Sequence, residues 1–399
     1  MKRTSLLLII IAYIAFVSLG LPDGLLGVAW PSISATFGLP LGNLGMLLVV
    51  FVSGFLLSSF NSGQIVARIG IGGLLLVSSL LIATSLFVYA LAPAWWMVVA
   101  ASSLLGMGGG AIDAGLNAYA AGHFSPRHVN WLHACYGFGA TLGPLLMTLV
   151  LSSGQSWRNG YALVGGMMAL LALCFGVTRR LWQNDTAANS VPTEAPVPVR
   201  MQTVLRRPMV WLGIGTFFTY TGLEVTAGQW AYSLFTAGRG IDPTLAGVWI
   251  SIYWGSLTVG RVVFGMLVER VAATTILRSS MAVTLVGALL LWLNPTPLLS
   301  FLGLALIGFM LAPVFPLLIT QTPARLGAVH ATYAIGFQVA AANLGSALIP
   351  GGAGLLVRGL GLEVIGPIVL VTALLLLALH EVLLGVERGA GATTTIVHQ

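Results

Sequence analysis

Residues 6–30 read LLLIIIAYIAFVSLGLPDGLLGVAW, a run of 25 positions in which Asp23 is the only charged side chain. About 20 consecutive apolar residues are enough to cross the hydrocarbon of a bilayer as a helix. The stretch therefore reads as a membrane span, and Asp23 is the anomaly within it. A carboxylate at the centre of such a helix costs roughly 2.5–3.5 kcal/mol on insertion scales, so it must face a wet cavity, find a partner or hold a proton. Pro22 before it and Gly24 after it favour a bent or locally unwound helix whose freed backbone groups need polar company.

The same pattern extends along the chain. Of 399 residues, 57% are apolar and 7% charged, with a mean hydropathy of +0.98. Apolar runs separated by turn or charge clusters give twelve helices, at about 5–33, 43–67, 71–91, 95–121, 128–152, 158–181, 208–235, 244–268, 274–293, 297–321, 327–356 and 362–385. This predicts an all-α integral membrane protein with no room for a separate soluble domain. The opening Lys2-Arg3 and apolar run resemble a signal peptide but continue without a small-residue cleavage site, so they are expected to stay as the first helix. Cys135 and Cys174 lie in apolar helices and read as core residues, not as a disulfide or metal pair. No spaced metal ligands, phosphate-cradling loop or nucleophile elbow is found, so an ATP-driven pump, a hydrolase and a resident cofactor are not expected. The glycines from Gly106 to Gly110 lie inside a span and suit close helix packing.

The net charge of +7 is spread between the spans and does not form a patch for nucleic acid. With the N-terminus placed in the cytoplasm, thirteen of seventeen Lys and Arg residues fall on that side. The bias predicts that both termini are cytoplasmic, in a cell inner or plasma membrane. Residues 183–207 are polar and Pro-rich and read as a cytoplasmic linker. It divides the chain into bundles at 1–182 and 208–385, followed by a tail at 386–399. The halves also match in order at offsets near 200 residues. Gly27 and Trp30 correspond to Gly228 and Trp230, with Asp23 and Glu224 upstream, and His133 to Tyr136 corresponds to His330 to Tyr333. Ser125-Pro126-Arg127 corresponds to Thr322 to Arg325, and Gly63 and Arg68 to Gly265 and Arg270. A duplicated six-helix unit follows, and duplicated carriers bind their solute between repeats near the midplane.

Gly63-Gln64-Ile65-Val66-Ala67-Arg68-Ile69-Gly70, between helices 2 and 3, resembles the cytoplasmic-loop motif of the major facilitator superfamily, with Ala67 in the place of its Asp. The second copy, Gly265 to Arg270, keeps an acid at Glu269. The resemblance implies the major facilitator fold, two pseudo-symmetric six-helix bundles. It also implies a cytoplasmic gate made by Arg68, Arg261, Glu269 and Arg270, with Glu269 latched to Arg261 or Arg270. Within the superfamily, Gly20 to Gly27, Gly108 to Asn117, His133 to Pro144 and Gly222 to Trp230 resemble the fucose:proton symporters and related sugar carriers. By that resemblance Asp23 and Asp113 stand where a helix 1 aspartate and a helix 4 glutamate serve proton and sugar. His133 and Tyr136 replace the relatives' Gln and Asn, which sets fucose itself apart.

Three acids are thus the candidates for proton coupling: Asp23, Asp113 and Glu224. Asp113 and Asn117 are four apart and share a helix face, at a depth where His133 and Tyr136 of the next helix can meet them. Glu224 sits mid-span near Tyr220, Gln229 and Trp230. Aromatic rings stack on sugar rings while carboxylates and amides bind hydroxyl groups, so these residues, with Tyr253, Trp254, Gln338 and Asn343, complete the expected solute site. Each has a structural counter-reading, as packing hydrogen bonds or interfacial aromatics. Pro313 and Pro316 in helix 10 favour a kink. The expected function is a monomeric, proton-coupled carrier of a small polar solute, a monosaccharide first. The alternatives are an antiporter exporting amphipathic cations and a receptor on the same fold.

Overall fold

The computed structural model describes residues 6–124, 126–186 and 201–396, so Lys2, Arg3, Ser125, Arg200 and most of the expected linker lie outside the described residues. Everything within them that carries regular structure is helical. The first helix, α1, spans Leu6–Thr36 and keeps both Pro22 and Pro31 inside it. Leu44–Leu91 is continuous except at Gly70, which separates α2 (44–69) from α3 (71–91). At φ 72° and ψ 166° Gly70 occupies a conformation essentially closed to residues with a side chain, so the end of the loop motif acts as the turn itself. Next come α4 (Trp95–His123), α5 (Pro126–Ser152) and α6 (Trp157–Thr186). A helical turn at Met201–Leu205 precedes α7 (Pro208–Ser233), which runs on into one wider turn at Leu234–Gly238. Then follow α8 (Pro243–Leu267) and α9 (Ala273–Leu293). The tenth helix, α10, is broken into Pro297–Leu311 and Val314–Leu326, because Pro313 offers no N–H to continue the ladder. The last two are α11 (Ala328–Leu360) and α12 (Ile365–Ile396).

Ten stretches among the described residues are long and apolar enough to cross a membrane. One of them, Leu41–Leu91, supplies both α2 and α3, and α7 is absent from the ten. Thr216, Thr219, Tyr220, Thr221, Glu224, Thr226 and Gln229 lower its hydropathy although only one of them is charged. Counting it and the divided rod gives the twelve helices. Several helices run past their expected ends, α10 to Leu326 and α11 to Leu360 among them. The sixth helix continues to Thr186, into the expected linker, and α12 continues to Ile396, through the expected tail.

The chain forms two compact units that do not simply follow the linker. Unit 1 contains residues 1–191 together with 228–255 and 354–362, and unit 2 contains 192–227, 256–353 and 363–399. The stretches that unit 1 draws from the second half are held by close approach. Added Cβ atoms on Gly27 and Gly42 would meet the backbone at Gly228 and Gly354. Inside unit 1, α1 crosses α5 at Gly20 and Gly24 on one side and Gly139 and Gly143 on the other, each facing backbone of the partner helix. Such spacing of small residues lets two membrane helices touch along their backbones. Gly106 and Gly110 of α4 meet Phe51 and Phe55 of α2 in the same way. Inside unit 2, Gly287 of α9 and Gly303 of α10 face each other, and Gly345 of α11 meets Phe218 of α7.

Candidate functional site

The glycine crossing of α1 and α5 brings Tyr136 onto Asp23. The Tyr136 hydroxyl donates to Asp23 Oδ2 at 2.6 Å. Gln229 Nε2 donates at 2.9 Å to the backbone carbonyl of the same aspartate. Both contacts lie within unit 1, and Gln229 is buried, with its Oε1 unpartnered among the described residues. On α4, Asn117 Nδ2 donates to Asp113 Oδ1 at 3.0 Å, as four-residue spacing allows. His133 sits edge-on to Phe16, with ring centroids 5.6 Å apart, and thus turns toward α1. Unit 1 therefore presents two acids, one bound by a phenol and one by an amide, with a second amide on the backbone beside Asp23. These groups can accept hydrogen bonds from hydroxyls and donate to them.

The remaining unit 1 candidates are packed inside. Trp230 and Tyr253 are fully buried, and Tyr253 and Trp254 form an edge-to-face pair with centroids 5.2 Å apart. The Trp254 ring leans on Gly228, where a Cβ would collide with it. These aromatics support the turn that presents Gln229.

In unit 2 the Tyr220 hydroxyl donates to Glu224 Oε2, one helical turn away on α7. Arg261 of α8, expected at the gate, lies where its charge acts on Glu224. Gln338 is buried and accepts from Thr322 Oγ1 at 3.1 Å. It borders a void of about 10 Å³ that also touches Gly213, Thr216 and Arg325, room for about one water and not for a sugar. Asn343 turns back onto its own helix, donating to Val339 O at 2.9 Å. Arg68, Glu269 and Arg270 are exposed and make no ion pair among the described residues. Among the described residues, unit 2 carries two other ion pairs. Arg278 grips both carboxylate oxygens of Glu381, and Arg325 Nε reaches Glu387 at 3.3 Å. These pairs join residues 103 and 62 positions apart and left no local signal in the sequence. Among the described residues no group of His, Cys, Asp and Glu could hold a metal ion.

This arrangement, half-buried acids with polar partners in a twelve-helix membrane protein, suits a carrier. The similarities to known proteins agree. Bypass of stop codon protein 6 of Saccharomyces cerevisiae is 24% identical over 398 residues, covering 90% of this chain and 78% of that protein. Human sodium-dependent glucose transporter 1 (Homo sapiens) is 22% identical over 380 residues, covering 86% and 72%. The crystal structure of a D-xylose-proton symporter superposes with a TM-score of 0.71 at 14% identity, over 94% of this chain and 97% of that one. At that identity the match speaks for the fold. The sequence profile of the Major Facilitator Superfamily fits residues 12–350 and again 212–396, and on this evidence the chain, a multi-pass membrane transporter, belongs to that superfamily.

Proposed function

We propose that the protein is a proton-coupled carrier of a monosaccharide or a similarly hydroxyl-rich neutral solute, working by alternating access. The observation that carries the proposal is the Asp23 site, where the carboxylate accepts from Tyr136, the backbone carbonyl accepts from Gln229, and a second acid, Asp113, lies with Asn117 on α4 of the same unit. Neutral polyols need such mixed donors and acceptors, and a pair of nearby acids need not ionise together, so one site can bind both solute and proton. The glucose transporter among the relatives and the fold shared with a xylose symporter support a sugar as solute. In the cycle, Asp23 or Asp113 takes a proton from the outer side as sugar binds. The loaded carrier then opens inward, and both are released. Tyr136 keeps the Asp23 carboxyl oriented, and Asn117 does the same for Asp113. Glu224, with Tyr220 and Arg261, is the polar counterpart in the second half. The termini, on the side rich in Lys and Arg, face the cytoplasm.

One relative is named as sodium-dependent, so the test separates the two ions. Protein reconstituted into liposomes is assayed with labelled glucose, galactose and xylose under an imposed proton or sodium gradient. The expected result is uphill uptake with the proton gradient alone. In Asp23→Asn, uphill uptake is expected to be lost while sugar-for-sugar exchange continues. Uptake driven only by sodium would overturn proton coupling. Exchange of tetraphenylphosphonium for protons with no sugar flux would replace the proposal by a cation exporter.

A further inference from the structure

Unit 2 holds a second polar feature, separate from the acids above, where α9 and α12 end on the same side. A cavity of about 310 Å³ is lined there by Thr274, Arg278, Leu384, Glu387 and Arg388. This lies at the lower end of the range for small-ligand sites. Residues 274 and 278 are one turn apart on α9, and 384, 387 and 388 share a face of α12. One turn deeper on that face is His380, fully buried, with neither ring nitrogen partnered among the described residues. A buried imidazole without a hydrogen-bond partner marks a place where a polar ligand or water belongs.

The charges around the cavity favour an anion. Glu387 is engaged by Arg325 and Glu381 by Arg278, so three arginines, Arg278, Arg325 and Arg388, face two carboxylates. Arg278 spends its Nε and Nη2 on Glu381 and keeps Nη1 for another acceptor. Arg388 is exposed, makes no hydrogen bond or ion pair among the described residues, and acts on Glu381 only through its charge. The N-terminus of α9 carries no side-chain cap, so its first N–H groups also point toward this end, with Thr274 among them.

We infer that this cavity binds a phosphate-bearing anionic headgroup, that of a phospholipid in the leaflet facing Arg278, Arg325 and Arg388. The phosphate sits between Arg388, the free side of Arg278 and the Thr274 hydroxyl. Basic pockets between membrane helices on the positively charged side take such headgroups because that leaflet is enriched in anionic lipid. The bound lipid would tie α9 to α12 and add to the Arg278–Glu381 clasp.

The test is thermal unfolding of delipidated protein in detergent with added phosphatidylglycerol, phosphatidylcholine or sn-glycerol 3-phosphate, since a ligand of the folded state raises Tm by mass action. Phosphatidylglycerol is expected to raise Tm and phosphatidylcholine to leave it unchanged. Arg388→Gln, an exposed position that should fold normally, is expected to weaken the phosphatidylglycerol response at least tenfold in midpoint concentration. Thr274→Val serves as a second variant and should weaken it less. Equal shifts with both lipids, or an unaltered response in Arg388→Gln, would overturn the site. A full shift with glycerol phosphate alone would keep the phosphate chemistry and overturn the lipid as its source.

Discussion

Tyr136 and Asp23 are 113 positions apart in sequence and 2.6 Å apart in space, and neither residue type alone signals the pairing. A hydrogen bond to a charged group contributes about 1.5–3 kcal/mol, roughly a factor of ten or more in an equilibrium. Tyr136→Phe is therefore expected to cut proton-driven uptake at least tenfold while leaving the melting temperature within a few degrees. Comparison of uptake with thermal unfolding checks this. The acids themselves were legible, because a carboxylate in an apolar run stands out in any sequence. So was the Asp113–Asn117 contact, which follows from helical spacing. The Tyr136–Asp23 and Gln229–Asp23 contacts were not, since they depend on how helices cross. Gln229 in particular binds a backbone carbonyl, an acceptor that every residue carries and that no sequence motif marks.

Helices in this protein are positioned largely by what their glycines allow. Gly139 of α5 faces the Val17 carbonyl of α1 so closely that a Cβ would overlap it, and Gly63 of the loop motif has open space around it. Gly139→Val is expected to push α1 from α5 and cost about 1–3 kcal/mol, as overpacking does. Gly63→Ala should cost far less, and the difference in Tm between the two variants measures the crossing. Element existence could be read from hydropathy, since lipid imposes a length and an apolar composition on each span. The ends could not. Thr186 and Ile396 extend their helices into polar sequence, because a helix that leaves the hydrocarbon pays no penalty for polar side chains. Arg278 and Arg325 pair with acids on α12, a neighbour that packing and not sequence spacing put beside them.

At the scale of the molecule, the twelve helices and two halves were readable from repeated spacing, but the compact units were not. Unit 1 incorporates 228–255 and 354–362, joined to the first half through Gly27, Gly42 and Asn43, the last of which binds Arg358. A polypeptide of residues 1–191 alone lacks these segments and leaves those surfaces uncovered. It is expected to unfold at a lower temperature than the full chain in the same detergent, and to regain stability only when the missing part is co-expressed. An unchanged melting temperature would show that the borrowed segments contribute nothing to unit 1. The low hydropathy of α7 has a consequence during synthesis. Hydrocarbon alone holds such a span less firmly as it emerges from the ribosome, so α7 is expected to enter the bilayer together with α8. The second half of the protein then begins its life as a hairpin, and a nascent chain halted near residue 240 would slip back out of the insertion channel.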